Sequence, residues 1–261
     1  TSSCSPSRNS IITGRYPHNT GAPELHSQPP IEMTTVAEAL KEGGYYTALS
    51  GKFHMGAYAR RGFNLIIEDK KLNGLGGEQQ WVKTLEDRPK DKPFFMWYAS
   101  IDAHRSWGEN NFSGSHDPEA LTPPEYLVND YFTKQDLGNY YDEIRRFDHS
   151  IGEVVATLKK QMVYENTFII VMSDNGRPFP HSKTRINDQG VKTPFILTYK
   201  KEPPINRNDR RFKFWQKSFH GDSFLVNPEP LLIQRTRYSD VEIAQYAGCL
   251  LYTSPSPRDR G

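Results

Sequence analysis

Short apolar runs alternate along this chain with longer stretches of mixed polarity. Residues 45–50, 94–100, 167–172 and 194–199 are rich in aromatic and β-branched side chains, which predicts strands. The run at 94–100 has almost no polar position, the pattern of a strand buried on both faces of a parallel sheet. Helical spacing appears between the runs. A short first helix opens near Cys4, and a second covers Val36–Glu42, capped by Thr34 or Thr35 and stopped by Gly43-Gly44. A long third carries Ile144, Phe147, Ile151, Val155 and Leu158 three or four residues apart on one face. The Pro-, Asn-, Gly- and Ser-rich stretch 17–30 reads as a surface loop. Strands alternating with helices predict an α/β fold with a mostly parallel central sheet flanked by helices. In such sheets ligands gather outside the carboxyl ends of the strands. Lys52 and His54, His104, and Asp174 with Asn175 all follow predicted strands directly.

Composition changes this picture only at the ends of the chain. With 261 residues, 36% hydrophobic and 25% charged, the sequence supports one large domain or one and a half. A net charge of +2 gives no reason to infer a nucleic-acid surface, while single cationic pockets stay open. No run approaches the ~20 apolar residues of a membrane span. The chain starts without an initiator Met and is expected to be a fragment. Residues 249–261 resemble a translated sequencing adapter and are set aside. Residues 201–248 show no clear period; a frameshift, a divergent insertion and a truncated subdomain are all open there. Residues 1–200 remain as the interpretable domain. Setting Cys249 aside leaves Cys4 alone, so no intrachain disulfide follows and the redox compartment stays undetermined.

The candidate chemistry begins at Cys4-Ser5-Pro6-Ser7-Arg8. A thiol at a helix start lies among unpaired backbone N–H groups that favour an anion, and Arg8 follows one turn later on the same face. A lone cysteine is more often a buried structural residue. Asp174-Asn175 offers hard oxygen donors, suited to Ca²⁺ or Mg²⁺ rather than Zn²⁺, although Asp-Asn-Gly is also a common turn. Lys52 and His54, two apart, share one side of an extended segment. His104 ends a predicted strand, and Lys183 precedes Val191 by eight residues in a loop.

The run from Cys4 to Arg15 resembles the signature of the type I, formylglycine-dependent sulfatases. Gly51-Lys52-Phe53-His54-Met55-Gly56 and Ser173-Asp174-Asn175-Gly176 are similar to further motifs of that family. The resemblance implies an alkaline-phosphatase-like sandwich in which a maturation enzyme converts Cys4 to formylglycine. It implies that Arg8 and Lys52 belong to the catalytic group, Lys52 steadying the formylglycine or sulfate oxygens, and that His54 acts as base. His104 and Lys183 would contact the sulfate. Asp174, Asn175 and the residue made from Cys4 would bind Ca²⁺, or Mg²⁺, with further acidic ligands on a strand preceding Thr1. The chain alone is therefore expected to be inactive or nearly so. The implied substrate is a sulfated carbohydrate and the implied compartment periplasmic or secreted. Residues 174–180 and Asp102-x-His104-Arg105 look most like the sulfamidase branch; Ile101, Ala103 and Lys183 depart from it, leaving O-sulfate and N-sulfate both open. A phosphonate or phosphate ester hydrolase of the same superfamily, an inactive sugar-binding relative, and a hydrolase using the Cys4 thiol directly are the alternatives. His18, His26, His116, His149, His181 and His220 match no motif and are expected to be structural or solvent-facing.

Overall fold

The computed structural model describes residues 1–198. The segments 201–248 and 249–261, His220, and Tyr199 at the end of the fourth expected strand lie outside the described residues. The chain divides into two units, one built from Thr1–Leu158 with Asp174–Val191, the other from Lys159–Ser173 with Lys192 onward.

In the first unit, helix α1 (Cys4–Thr13) ends at Gly14, whose N–H donates to Ser10 O at 2.9 Å. Helix α2 (Val36–Glu42) starts where Thr35 accepts the Glu38 N–H at 3.1 Å, so of the two candidate caps Thr35 is the one used. Strand β1 (Tyr46–Gly51) is central to a parallel sheet of order β2-β1-β3, with β2 at Leu65–Ile67 and β3 at Phe94–Ala99. Tyr46 pairs with Phe94 and Gly51 with Ala99 on one side; Ala48 pairs with Leu65 on the other. Burial of β1 between two strands explains why its polar side chains find partners. Ser50 Oγ donates to Asn73 Oδ1 at 2.8 Å, and Thr47 Oγ1 donates to Asn64 Oδ1 at 2.9 Å.

Strand β3 departs from its expected burial: Phe94 through Tyr98 are half-buried, because among the described residues this strand pairs on one side only. Its rings pack under that partial cover. Phe95 lies against Phe63, and Tyr98 stacks on Trp81 of α4 (Trp81–Asp87), which follows the short α3 (Lys70–Asn73). The main core gathers Ile12 of α1, Ala37 of α2, Leu49 of β1, and Phe53, Met55, Tyr58, Ala59 and Phe63 beyond it. This packing holds the carboxyl end of α1, at Ile12, against β1 and the residues beyond it.

Helix α5 (Tyr131–Lys160) is the long helix the spacing predicts. Its deepest stripe is not purely the apolar one, however. Ile144, Phe147, Ile151 and Val155 are half-buried, whereas Asp142, Glu143 and Arg146 are buried. Those polar groups are inside because each has a partner. Asp142 takes hydrogen bonds from Gly114 N and His116 Nδ1, both at 2.7 Å, and Arg146 makes two bonds of 2.6 Å to Asp102. The short helix α6 (Asp188–Val191) completes this unit.

In the second unit, β4 (Ile169–Met172) and β5 (Phe195–Thr198) pair antiparallel, Ile169 opposite Thr198 and Met172 opposite Phe195. The α/β reading holds, with the parallel sheet in the first unit. The antiparallel pairing of these two apolar runs, each with one exposed isoleucine, was not legible from their composition.

Candidate active site

Each expected site residue in the first unit is placed by a short backbone argument. Cys4 is the first residue of α1 and is 3% exposed, so its side chain lies at a helix N-terminus and under the fold. Beyond β1 the chain must turn close to β3. At Gly51, with φ +104°, a Cβ would stand 2.0 Å from Ala99 O, so only glycine fits. The turn lets Lys52 N–H donate to Ala99 O at 2.8 Å and sends the lysine side chain to Cys4, with Nζ donating to Sγ at 3.3 Å. Gly176 does the same for the acidic turn: a Cβ there would lie 1.9 Å from Gln189 O.

Arg8 joins three of these segments. Its Nε donates to Asp174 Oδ2 at 2.8 Å and its Nη1 to Lys52 O at 2.8 Å. Asn175 is buried beside Asp174, its Nδ2 donating to Gly176 O at 2.9 Å. The loop bearing Lys183 is tied down by Lys183 N–H to Arg177 O at 3.1 Å and by Thr184 N–H to Ser2 O at 2.8 Å, just before α1. Cys4, Arg8, Lys52 and Asp174 thus form one contact chain. Lys183, His54 and His104 join it through their fields.

Burial is the largest influence on Lys52 and lowers its pKa, with Arg8 adding to it, against the opposing pull of Cys4 and Asp174. His54 is lowered by burial and then by Lys52, Arg8 and Lys183, with Asp174 opposing. His104 is lowered by desolvation and by Lys183 and Lys52, against its hydrogen bond to Arg105 O and the charge of Asp174. Burial pushes the Asp174 carboxyl up, but Arg8, Lys52 and Lys183 together hold it below its ordinary range. Three cations acting on one carboxylate leave a local excess of positive charge, which favours a further anion. His104 itself is exposed and lies in the loop after β3, five residues past the strand end rather than at it.

Two features had no sequence signal. His26, in the surface loop, brings Nδ1 to 3.0 Å from His54 Nε2. Neither spacing nor motif links the two rings across the intervening chain; only the folded contact does. Beneath the His104 loop, buried Glu143 accepts from Gly108 N at 3.3 Å and from the His104 backbone. Burial, then the charge of Asp102, pushes its carboxyl up to about 7, against those hydrogen bonds and Arg146. A carboxyl raised in the folded state stabilises the fold in its protonated form. That contribution is complete below the ordinary value of 4.5 and is lost as pH rises through about 7. Glu143→Gln is expected to flatten the stability profile across that window, removing a fall on the order of 3 kcal/mol. Denaturant titrations at several pH values would read it, and an unchanged slope would place the proton elsewhere.

The parallel sheet flanked by helices makes this an α/β protein. The sulfatase family matches residues 1–74 and 78–213, and the chain belongs to that family. Human N-sulphoglucosamine sulphohydrolase is 27% identical over 235 residues, covering 77% of this chain and 47% of that protein. An ulvan-active sulfatase of Formosa agariphila is 25% identical over 247 residues, covering 75% and 39%. The chain therefore spans less than half the length of these curated relatives. Among solved structures, the phosphonate monoester hydrolase SpPMH from Silicibacter pomeroyi superposes with a TM-score of 0.62 at 18% identity, over 77% of this chain and 60% of that one. At that identity the likeness is one of fold.

Proposed function

We propose that the protein hydrolyses sulfuric esters or sulfamates of a sulfated carbohydrate, with Cys4, matured to formylglycine, as its nucleophile. The observation that carries this reading is the Lys52 ammonium at 3.3 Å from Cys4 Sγ, with Arg8 and Asp174 closing the same corner. The residues present suit the modification: Cys4 is enclosed at a helix N-terminus, and a cationic donor already reaches its terminal atom. The hydrated aldehyde supplies two hydroxyls on one carbon, one to attack sulfur and one to drive sulfate off afterwards. Lys52 orients these oxygens and, with Arg8 and Lys183, stabilises the negative charge that builds on the sulfate as the bond breaks. His54, whose pKa burial and then the surrounding cations lower, takes the proton from the sulfated hydrate so that sulfate is eliminated. His104, exposed in the loop after β3, would give a proton to the leaving oxygen or nitrogen.

A carboxylate and an amide in sequence are hard donors for a divalent cation, and Asp174 with Asn175 would hold Ca²⁺ or Mg²⁺ together with an oxygen of the residue made from Cys4. Calcium takes about six to eight oxygens, and among the described residues no group of three or more His, Cys, Asp or Glu is placed to hold a metal. These donors are thus part of a shell. The ion would lower the charge on the sulfate oxygens.

The names of the two relatives support a sulfated sugar as substrate, and N-sulphoglucosamine is the first compound to assay. The test is sulfate release by the full-length protein, co-expressed with a formylglycine-generating enzyme, from N-sulfated and O-sulfated glucosamine and from a phosphonate monoester. Release of sulfate from either sugar, faster than phosphonate cleavage, is expected. A protein with confirmed aldehyde that cleaves only the phosphonate would overturn the reading. Lys183→Ala should lower turnover about 10²- to 10³-fold, ~2.7 to 4 kcal/mol, the usual loss for one charge-stabilising donor. Turnover unchanged in steady-state assays would remove Lys183 from the site.

A further inference from the structure

His26 and His54 meet ring to ring, with centroids 5.0 Å apart and His26 Nδ1 3.0 Å from His54 Nε2. Both backbones are in the left-handed region, φ +69° for His26 and φ +44° for His54, a conformation uncommon for residues other than glycine and here held by the surroundings. The surroundings are visible. His26 N–H donates to Oγ of Ser5, a buried residue adjoining Cys4, at 2.8 Å. Two residues on, Gln28 Oε1 accepts the Ala57 N–H at 3.1 Å, beyond His54. The loop is therefore pinned to α1 on one side and to the segment after β1 on the other, and the imidazole of His26 is delivered to one nitrogen of His54.

The other nitrogen, His54 Nδ1, is buried and has no hydrogen-bond partner among the described residues. That decides the direction of the His–His bond. Were His26 the donor, His54 would carry its own proton on Nδ1, leaving an N–H buried without an acceptor; orphaned buried donors are rarer and costlier than orphaned acceptors. The groups acting on His54 from other segments are Lys52, Arg8 and Lys183, all cationic, and Asp174. This excess of positive charge also favours a lone pair over an N–H in the interior.

We infer that His26 is a positioning residue for His54: its Nδ1 accepts from His54 Nε2–H, locks that tautomer, and leaves Nδ1 of His54 as the proton-accepting nitrogen. The part played by that nitrogen in turnover rests on the sulfatase reading; the tautomer does not. An imidazole whose orienting partner is removed distributes between tautomers and orientations, which is the logic by which a partner on one ring nitrogen sets the chemistry of the other.

The test uses two substitutions at one backbone position. His26→Asn keeps an acceptor oxygen and tolerates positive φ, whereas His26→Gly relaxes the backbone and removes the acceptor. Nitrogen NMR of the full-length protein with labelled histidine reads the His54 tautomer directly. The expected pattern is a protonated Nε2 and a bare Nδ1 in the parent and in His26→Asn, with a mixed population in His26→Gly. A protonated Nδ1 in the parent, or an unchanged tautomer in His26→Gly, would overturn the inference whether or not the protein cleaves sulfate. In assays, His26→Gly should lower kcat about 10- to 100-fold and His26→Asn should restore most of it. Equal losses in both variants, with the tautomer unmoved, would mark His26 as a structural residue only.

Discussion

Cys4→Ala in the full-length protein is expected to abolish sulfate release, a loss on the order of 10⁶-fold, as for removal of a covalent nucleophile. Alanine keeps the first side-chain carbon and removes a single heavy atom from the 3% exposed position, a smaller loss than truncating a large core side chain. The fold should therefore survive, and the variant separates chemistry from stability. Two measurements check it: the mass of the peptide spanning Cys4, which should be lower in the matured parent by the difference between CH₂SH and CHO, and sulfate release by both proteins. An active Cys4→Ala protein would remove Cys4 from the reaction. A parent that turns over substrate while its Cys4 peptide retains the thiol mass would instead select direct thiol chemistry.

Much of this site is legible in the sequence because strand ends in a parallel α/β sheet are where side chains converge. The apolar run 45–50 predicts that Lys52 and His54 emerge at a carboxyl end, and β1 does deliver them there, with Lys52 beside β3 and α1. The α2 boundaries are equally plain, since a threonine cap and a glycine pair act locally. Local rules run out where burial is decided by distant partners. Asp142, Glu143 and Arg146 look like solvent-facing positions of an amphipathic helix, yet they lie inside because His116, Gly108 and Asp102 come from elsewhere to meet them. His26 belongs to the same category: a loop histidine becomes part of the candidate site only through its contact with His54. Strand β2 spans three residues, too short for any pattern to mark it.

The second large effect is expected from Arg8→Ala, and it acts on stability first. Arg8 and Asp174 lie 2.8 Å apart with side chains 9% and 19% exposed, so each is the other's counter-charge in a largely dry setting. Removing one member of such a pair strands the other, a cost of about 3 to 5 kcal/mol, far above the 0 to 1 kcal/mol of a surface bridge. Part of the loss is the carboxylate itself. Burial pushes the Asp174 carboxyl up and Arg8 is the leading influence holding it down, so without Arg8 the buried charge is left with the weaker influences of Lys52 and Lys183. Arg8→Ala combined with Asp174→Asn should accordingly be more stable than Arg8→Ala alone, a coupling that a double-mutant cycle isolates. Arg8→Lys should recover only a fraction, because a single ammonium cannot reproduce the fork that reaches both Asp174 Oδ2 and Lys52 O. Urea unfolding at constant slope measures the parent, the two single variants and the double variant of the cycle, and Arg8→Lys. A cost below about 1 kcal/mol for Arg8→Ala, the range of an exposed pair, would mean that the Arg8–Asp174 contact does not hold the start of α1 to the acidic turn. The site would then lack the link that brings Cys4, Lys52 and Asp174 together.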